Sequence, residues 1–362
     1  MLATALVQVI WLFALLLKPL LHTEIEKAET SHVPVSVIVV AKNEKENLQE
    51  LLPQILEQDY PSFELIVVDD HSWDGTYEYL YELKAKHSNI DVIALDEFVN
   101  VIPGKKLSLT LAIKKAKNDV LLFTDADCVP TSDQWIAEMT KHFKDQQVEV
   151  VLGYSPYQTK GSYNPFIGFE TFWVAWQYMA YALSGAPYMG VGRNLVYRKS
   201  TFMANKGFAS HLKVPYGDDD LLIQEIANKE NTKVVLNPEA FIESIPTKGI
   251  NKWRKQKRRH LSAGSFYKFK FKFSLGLLWL SRFGFYAAAI IYLIAGSPYN
   301  MVNIGLIILP ILLQWLISGL LHRKFKMYKF WPAFPLLDLL YQCVVYPILG
   351  LITMLNPQKK TW

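Results

Sequence analysis

The sequence predicts an α/β protein: a mostly parallel β-sheet flanked by helices, with transmembrane helices in the N-terminal and C-terminal regions. Three observations indicate this fold class. Short β-branched runs alternate with segments of helical spacing between residues 33 and 152, which is typical of a parallel sheet with crossover helices. Polar clusters follow several predicted strands, where open sheets of this kind bind ligands. Apolar runs of about 20 residues, long enough to cross a bilayer, lie at both ends.

The composition is apolar and its charge is uneven. The 362 residues are 51% hydrophobic and 14% aromatic, with a net charge of +5. Ten Lys and Arg residues and no acidic residue lie between Pro246 and Lys272. The two cysteines, Cys128 and Cys343, are too far apart to indicate a disulfide framework or a zinc site.

We divide the chain into four predicted regions: a transmembrane anchor (1–22), a catalytic α/β domain (33–245), a basic and aromatic interfacial segment (246–273) and a C-terminal membrane region (275–355). The anchor lacks the basic start and the cleavage site of a signal peptide. The last region holds two spans, Leu275–Gly296 and Met301–Leu321, and a third element, Trp331–Leu355, that is a span or a re-entrant segment. The basic loop His322–Lys329 predicts a cytoplasmic location for itself and the catalytic domain.

Within the α/β domain, hydrophobic periodicity predicts the individual elements. The predicted strands are Val33–Ala41, Phe63–Val68, Asp91–Leu95, Val120–Thr124 and Val148–Leu152. The predicted helices are Asn47–Gln58, Tyr77–His87, Lys105 to about Lys117, Tyr163–Leu183 and Leu221–Asn228. The aromatic helix Tyr163–Leu183 suits core packing against the sheet and also a position at the lipid headgroups.

Two acidic clusters carry the candidate chemistry. Asp125 and Asp127 follow a strand, and residues two apart on an extended chain face the same side. They suit a divalent cation that also holds diphosphate oxygens, although a polar turn is the alternative. Asp218, Asp219 and Asp220 repel one another and raise at least one pKa, as a general base needs. The alternative there is a helix cap, which needs one carboxylate rather than three.

The stretches VSVIVVAKNEKENL, ELIVVDDHSWDGT, the helix start at Gly104-Lys105 and FTDADCVP resemble the nucleotide-sugar-binding half of family 2 glycosyltransferases with the GT-A fold. The resemblance covers roughly Val33–Lys272. It implies an inverting transfer of a sugar from a nucleotide-diphosphate donor, which we expect to be a UDP-sugar. The layout resembles ceramide glucosyltransferases in outline.

The resemblance also implies roles for individual residues. The nucleotide-sugar contacts would be Ala41, Asn43, Glu44, Asp69, Asp70, Lys105, Asp125, Gln256 and Arg259. The metal, Mg²⁺ or Mn²⁺, would be bound by Asp127. Asp219, beside Asp218, would be the general base, with Asp220 leaving the register open by one residue. Arg193 and Asn194 would lie near the donor sugar or acceptor.

Alternatives remain for several of these residues. Asp69 and Asp70 also suit an Asx-type turn, and we assign Asp74 to capping the helix that starts at Thr76. Gln256 and Arg259 match the family's Gln-x-x-Arg-Trp motif, but His260 replaces its Trp, which argues against a processive polysaccharide synthase.

The expected partners are a nucleotide-sugar donor, a lipid or lipid-linked glycan acceptor and the membrane. Lysines beside Gln256 and Arg259 form a basic collar that suits anionic lipid. Nucleic acid is not expected, since no nucleic-acid-reading fold accompanies the basic segment. We expect an integral protein of the bacterial inner (plasma) membrane. The alternatives are a nucleotidyltransferase on a similar sheet and a catalytically inactive membrane scaffold.

Overall fold

A computed structural model describes residues 1–24, 33–95, 104–158, 164–246, 249–295, 301–326 and 330–355. The described residues divide into two compact units. The helical unit lies within Met1–His22, Lys160–Ser184 and Thr247–Gln358, and the sheet unit within Thr23–Thr159 and Gly185–Pro246.

The sheet unit is built on a mixed but mostly parallel sheet, as the sequence predicts. Its strands are β1 (Val35–Ala41), β2 (Phe63–Asp70), β3 (Ile90–Leu95), β4 (Val120–Asp125), β6 (Val150–Leu152), β7 (Leu195–Arg198) and β8 (Thr232–Val234), and β5 (Cys128–Pro130) pairs separately with β9 (Ile242–Ser244). The order in the main sheet is β3-β2-β1-β4-β7-β6-β8. Only β7 runs antiparallel to its neighbours, β4 and β6, in the described part of this sheet.

The helices of the described residues occupy both units. In the sheet unit they are α3 (Lys45–Leu56), α4 (Thr76–Lys86), α5 (Lys106–Lys115), α6 (Trp135–Thr140), α8 (Lys199–Ala204) and α9 (Asp220–Ile226). In the helical unit they are α1 (Leu2–Trp11), α2 (Lys18–Leu21), α7 (Pro165–Leu183), α10 (Ile250–Gly264), α11 (Phe269–Ile294), α12 (Met301–Lys324), α13 (Phe334–Leu340) and α14 (Tyr346–Leu355).

The strand order creates a crevice beside β1. The chain adds β2 and β3 on one side of β1 and then crosses over to place β4 on the other side. Ligands bind at such a switch point in open α/β sheets, beyond the carboxyl ends of the strands. The register pairs Val40 of β1 with Asp125 of β4. The carboxylate of Asp125 is therefore placed at the crevice.

Burial explains why the central strands form. Every residue of β1 is buried, and its β-branched side chains pack between helices on both faces of the sheet. Leu48, Leu51, Leu52 and Ile55 form the buried stripe of α3 against this core. The helical spacing seen in the sequence thus corresponds to the face that packs on the sheet.

Four helical segments of the described residues are long and apolar enough to cross a membrane: Leu2–Leu21, Phe269–Ile294, Met301–Lys324 and Trp331–Leu355. They overlap the predicted anchor, the two predicted spans and the third C-terminal element, which stays predicted as a span or a re-entrant segment. The aromatic helix α7 belongs to the helical unit with them rather than to the sheet unit. Its Trp173 and Trp176 are almost completely buried there.

Two π-helical turns, Leu12–Leu16 and Tyr341–Val345, interrupt the first and last of these segments. Each turn accepts a hydrogen bond from a tryptophan of another helix: Trp176 Nε1 donates to the Leu16 carbonyl at 2.6 Å, and Trp279 Nε1 to the Gln342 carbonyl at 3.3 Å. An irregular turn in an apolar setting needs such external donors, because no water satisfies its carbonyl groups.

A buried ion pair joins α11 to α13. The Arg282 guanidinium bonds the Asp338 carboxylate, which also accepts from Tyr286 and, at 3.1 Å, from Gln342 Nε2. The guanidinium carbon lies 4.4 Å from the ring centroid of Trp173. The two charges that the sequence places in separate apolar segments thus compensate each other.

Removing one partner of this pair should destabilise the protein strongly. We expect Arg282→Met to lower the free energy of unfolding by about 3 kcal/mol, because it leaves the Asp338 charge buried without its counterion. Removing both charges with Arg282→Met and Asp338→Leu should recover most of this loss. Denaturation in detergent micelles measures both variants. A double variant no more stable than the single one would contradict the pairing.

Candidate active site

An open cleft of about 390 Å³ lies at the switch point of the sheet. Its polar lining includes Lys105, Asp125, Asp218 and Asp219, with Tyr197 on one wall. These residues come from the N-cap of α5, from β4 and β7, and from the loop before α9. The structure therefore brings together four residues that the sequence predicts to belong to one site.

The turn after β1 is locked to the turn after β2 by hydrogen bonds. The Asn43 amide donates to Ser72 Oγ at 2.8 Å, and the Trp73 amide donates to Asn43 Oδ1 at 2.9 Å. The Glu44 amide donates to Thr76 Oγ1 at 3.1 Å. Asn43 has a φ of 56°, which Asn tolerates better than most residues. The predicted nucleotide-binding turn is thus held in one conformation.

Asp74 acts as a cap, as the sequence predicts. Its carboxylate accepts from the Thr76 amide at 3.0 Å, from Thr76 Oγ1 at 2.6 Å and from the Lys45 amide at 3.1 Å. These bonds outweigh the effect of burial and lower the pKa of Asp74. Asp74 therefore secures the start of α4.

Asp69 and Asp70 end β2 itself, two residues beyond the predicted strand end, and Ala41 of β1 pairs with Asp69. No hydrogen-bond partner reaches the buried Oδ1 of Asp69 within the described residues. Burial raises the pKa of Asp69 in spite of hydrogen bonds from Ser72. Asp70 differs, since Ser108 Oγ donates to its Oδ2 at 2.9 Å. Asp69 thus offers an acceptor to a ligand, whereas Asp70 ties β2 to α5.

Lys105 and Asp125 form an ion pair in the cleft. The Lys105 Nζ lies 2.6 Å from Asp125 Oδ1, with side chains 27% and 38% exposed. Burial alone lowers the pKa of Lys105, but the Asp125 carboxylate outweighs that effect and raises it. The lysine therefore keeps its positive charge at physiological pH, available to a ligand phosphate.

Asp127 lies beyond β4 in the short turn that leads into β5, so the extended conformation that the sequence argument assumes from Asp125 to Asp127 is wrong. Burial raises the pKa of Asp127, and the Asp125 carboxylate raises it further. Glu44 is a third acidic group near Asp127. Burial raises the pKa of Glu44, and the Asp127 carboxylate raises it further. Carboxylates placed this close together repel one another, and a bound cation would relieve that repulsion.

The donor chemistry near Asp127 fits a hard divalent cation. Oxygen ligands of this kind suit Mg²⁺ and Mn²⁺. No group of three or more His, Cys, Asp or Glu side chains in the described ranges is arranged to hold a metal by itself. A cation bound here would therefore take further oxygens from substrate or water.

Asp219 is the N-cap of α9 and faces the cleft. Its Oδ1 accepts from the Asp220 amide at 2.7 Å, and its Oδ2 accepts from the Gly192 amide at 2.9 Å. Burial, with the Asp220 and Asp218 carboxylates, raises the pKa of Asp219 to about 8. A carboxyl group with a pKa near the working pH suits proton transfer.

Asp220 has a different environment. It is the first residue of α9, is 7% exposed, and its Oδ1 accepts from the Leu221 amide at 2.8 Å. Asp218, in contrast, lines the cleft together with Asp219. The cap and the cleft-facing carboxylate thus coincide at Asp219, so the two interpretations of the acidic cluster are compatible.

Arg193 and Asn194 are used by the fold to different extents. Asn194 is fully buried, donates to the Tyr154 and Ala240 carbonyls at 2.7 and 2.9 Å, and accepts from Trp135 Nε1 at 3.0 Å. Its amide group is therefore committed to structural bonds. Arg193 Nη2 donates to the Ser155 carbonyl at 3.3 Å, and its positive charge offsets part of the rise that burial and Asp125 cause in the pKa of Asp127.

The two predicted diphosphate contacts outside the sheet unit, Gln256 and Arg259, lie on α10. That helix is fixed to α7 inside the helical unit. The rings of Trp253 and Phe166 lie 5.6 Å apart, and Lys257 forms an ion pair with the buried Glu170. Trp253 and Lys257 are four residues apart on α10, and their partners Phe166 and Glu170 are four residues apart on α7. One face of α10 therefore packs on α7. Gln256 and Arg259 are half-buried on the same helix.

Sequence reasoning missed Lys106. The side chain is 0% exposed and donates three hydrogen bonds to carbonyl groups of the loop that precedes Asp218. A signal was present, because Lys106 occupies the same helical face as the buried Leu109 and Ile113. A lysine at a core position indicates a buried partner.

Two known protein families match this chain. The family described as "Glycosyl transferase family group 2" matches residues 120–353, and "Glycosyl transferase family 2" matches residues 36–202. Together the matches include the residues that line the cleft and reach into the last apolar segment.

Individual relatives match over shorter stretches. The glycosyltransferase AglE of Haloferax volcanii is 32% identical over 127 residues, 34% of this chain and 40% of that protein. The poly-beta-1,6-N-acetyl-D-glucosamine synthase of Staphylococcus epidermidis is 30% identical over 154 residues, 42% of this chain and 36% of that protein. The matching stretch thus spans two fifths or less of either relative.

A solved structure shows the same fold. The mannosyltransferase PcManGT of Pyrobaculum calidifontis, in complex with GDP-Man and Mn²⁺, superposes with a TM-score of 0.61 at 20% identity. The superposition covers 99% of both chains. The sheet unit accordingly has the GT-A fold.

The raised pKa of Asp219 predicts how stability depends on pH. The folded state holds the proton up to about pH 8, whereas an unfolded aspartate loses it near pH 4. The free energy of unfolding should therefore decrease as pH rises from about 4 to about 8, by about 1 kcal/mol per pH unit. Asp219→Asn should remove this slope and be more stable than the unmodified protein at pH 8. Thermal melting across pH 5–9 measures it.

Asp74→Asn is the matched control with the opposite sign. Its carboxylate has a lowered pKa, so it stabilises the fold above the pKa of the unfolded aspartate and loses that contribution as pH falls. The control should be less stable than the unmodified protein at pH 7. Parallel pH profiles for the unmodified protein and Asp219→Asn would contradict the assignment of a raised pKa to Asp219.

Proposed function

Because the chain belongs to the family 2 glycosyltransferases, we propose that its switch-point cleft transfers a sugar from a nucleotide-diphosphate sugar to an acceptor hydroxyl. One observation carries the proposal: Asp219, with its raised pKa, lines the same cleft as the Lys105–Asp125 ion pair. A proton acceptor and a phosphate-binding cation are the two functions that this reaction needs side by side.

The nucleotide would bind along the ends of β1 and β2. The open Oδ1 of Asp69 is an acceptor for an N–H group of the base, and the backbone of Ala41–Glu44 offers further polar groups beside it. Asp70 would support this position through its bond to α5. Uracil and guanine both carry a suitable N–H group. A UDP-sugar is our first candidate donor, and GDP-mannose, which PcManGT binds, is the second.

The leaving diphosphate would be stabilised by positive charge. The Lys105 ammonium can leave its partner Asp125 to bind a phosphate oxygen, and Gln256 and Arg259 are proposed further contacts from α10. Mg²⁺ or Mn²⁺, when bound, would neutralise the diphosphate, and Asp127 and Asp125 would hold it. Arg193 is proposed to lie near the transferred sugar.

Asp219 would act as the base in a single displacement. Its carboxylate takes the proton of the acceptor hydroxyl, and the oxygen bonds to the anomeric carbon on the side opposite the diphosphate. The bond from that carbon to the diphosphate oxygen breaks, and the anomeric configuration inverts. The Gly192 and Asp220 amides, which bond the Asp219 oxygens, orient the carboxylate for this step.

The acceptor is proposed to be a lipid or a lipid-linked glycan. Four apolar segments would hold the protein in the membrane, and the basic helix α10 suits anionic headgroups. His322, Arg323 and Lys324 form the last turn of α12, where the sequence predicted a loop, and Lys326 follows them. These basic residues favour a cytoplasmic position for the catalytic unit under the positive-inside rule. A bacterial inner membrane is the proposed location.

A product assay tests the proposed function. The detergent-solubilised protein is incubated with UDP- and GDP-sugars and a lipid extract, and products are identified by mass spectrometry. We expect a nucleoside diphosphate and a glycosylated acceptor. Pyrophosphate release would indicate a nucleotidyltransferase instead, and no turnover of any donor would favour a membrane scaffold.

Substituting the base should abolish transfer but not donor binding. We expect Asp219→Asn to lower kcat by 10²–10⁴-fold, the typical value of general-base catalysis, with little change in donor affinity. Activity of the unmodified enzyme should rise as pH approaches about 8, because Asp219 loses its proton there. Steady-state kinetics and nucleotide titration measure these effects.

Asp220→Asn is the control for the register of the acidic cluster. Its carboxylate is buried and bonds the Leu221 amide instead of lining the cleft, so kcat should fall less than tenfold, far below the loss at a general base. A large loss in this variant with nearly unmodified activity in Asp219→Asn would transfer the role of the base to Asp220.

Removing divalent cations should stop the reaction. EDTA should reduce transfer to background, and added Mn²⁺ or Mg²⁺ should restore it, because the diphosphate would otherwise leave without charge compensation. Asp127→Asn should raise the cation concentration needed for half-maximal activity. Undiminished turnover in EDTA would rule out the proposed role of Asp127.

A further inference from the structure

Lys106 lies buried at the base of the loop that carries the proposed general base. Its ammonium donates to the carbonyl oxygens of His211 and Val214 at 2.7 Å and of Tyr216 at 3.0 Å. A lysine has three N–H donors, so these bonds use all of them. The loop from His211 to Tyr216 leads directly to Asp218, Asp219 and Asp220.

Gly104, the residue that precedes Lys105, contacts the same loop at Pro215. A Cβ atom at this position would lie 2.2 Å from the Pro215 carbonyl oxygen, which no side chain tolerates. Gly104 also has a φ of 80°, a conformation that favours glycine. We call Gly104 and Lys106 the latch. Both latch residues hold the backbone of one loop, by close packing and by hydrogen bonds.

Besides holding the loop, the latch places the Lys106 ammonium near the carboxylates around Asp219. Burial lowers the pKa of Lys106 to about 8, and the nearby carboxylates of Asp218, Asp220, Asp219 and Glu225 oppose that effect and favour the charged ammonium. The other charged or titratable groups near this cluster are Lys105 on α5, Tyr197 on β7 and His211 in the loop itself. The buried ammonium is thus a positive charge set behind three carboxylates.

The adjacent lysines of α5 face different surroundings. Lys105 pairs with Asp125 in the cleft, whereas Lys106 reaches into the interior toward the loop. The start of α5 therefore connects the proposed phosphate contact to the proposed base.

We propose that Lys106 is a positioning residue that holds the His211–Tyr216 loop and thereby sets the location and proton affinity of Asp219. The proposal rests on the proposed function for its catalytic consequence, although the latch itself does not. Lys106 does not touch substrate; it acts through the carbonyl groups that it binds and through its charge.

Lys106→Met tests the proposal, because methionine keeps the length of the side chain without its donors or charge. We expect faster amide hydrogen exchange in residues 211–217, by at least about tenfold. For transfer, kcat should fall by about 100-fold, the cost of a misplaced catalytic group, while the donor KM stays within about threefold. The acid limb of the pH–rate profile should move up by about one unit, since a nearby positive charge is lost.

Lys199→Met is the matched control. Lys199 also donates to backbone carbonyl groups, those of Lys114 at 3.1 Å and Ala116 at 2.6 Å, but at the opposite end of α5. This variant should leave kcat, the pH profile and exchange in residues 211–217 unchanged. The comparison separates the latch from the general effect of removing a carbonyl-binding lysine.

Gly104→Ala provides a second test if Lys106→Met does not fold. Its added methyl group pushes on the Pro215 carbonyl, so it should also speed exchange in residues 211–217 and lower kcat. Unchanged exchange and unchanged kcat in a folded Lys106→Met protein would overturn the proposal. If the unmodified protein turns over no donor, the proposed function fails, while the exchange measurements still decide whether the latch holds the loop.

Discussion

Negative charge concentrated at one end of a sheet is the constraint on which the site depends, and two consecutive lysines balance it. Lys105 offsets Asp125 in the cleft, and Lys106 is buried behind the Asp218–Asp220 cluster. Without these cations, the carboxylates would repel one another or take up protons. The point at which α5 begins therefore sets both the phosphate-binding side and the proton-accepting side of the cleft.

Buried charges and irregular turns in the helical unit are a second constraint on the structure. Arg282, Asp338 and the two π-helical turns lie among apolar helices, so each needs a partner inside the protein. Arg282 and Asp338 provide this for each other, and the indoles of Trp176 and Trp279 provide it for the π-helical turns. The many aromatic residues of this unit therefore serve as hydrogen-bond donors as well as packing groups.

Local sequence patterns predicted most elements of the sheet unit, because strands buried on both faces and helices with one apolar face leave strong periodic signals. The residues Asp69, Asp70 and Asp125 were placed close to their strand ends, within two residues. The prediction failed for the geometry of Asp127, since a turn follows Asp125 and interrupts the strand alternation. It also missed Lys106, whose partners are carbonyl groups more than 100 residues away.

The sequence by itself determined the alternation of strands and helices, the apolar segments and the acidic clusters, because these depend on residues close together in the chain. Only the tertiary structure decided that Asp218 and Asp219 line the cleft while Asp220 is buried at the start of α9. It also decided that Asn194 is committed to the core and that α7 joins the helical unit. Burial and the pairing of charges depend on distant segments, so a local pattern cannot predict the ion pair of Asp125 or the raised pKa of Asp219.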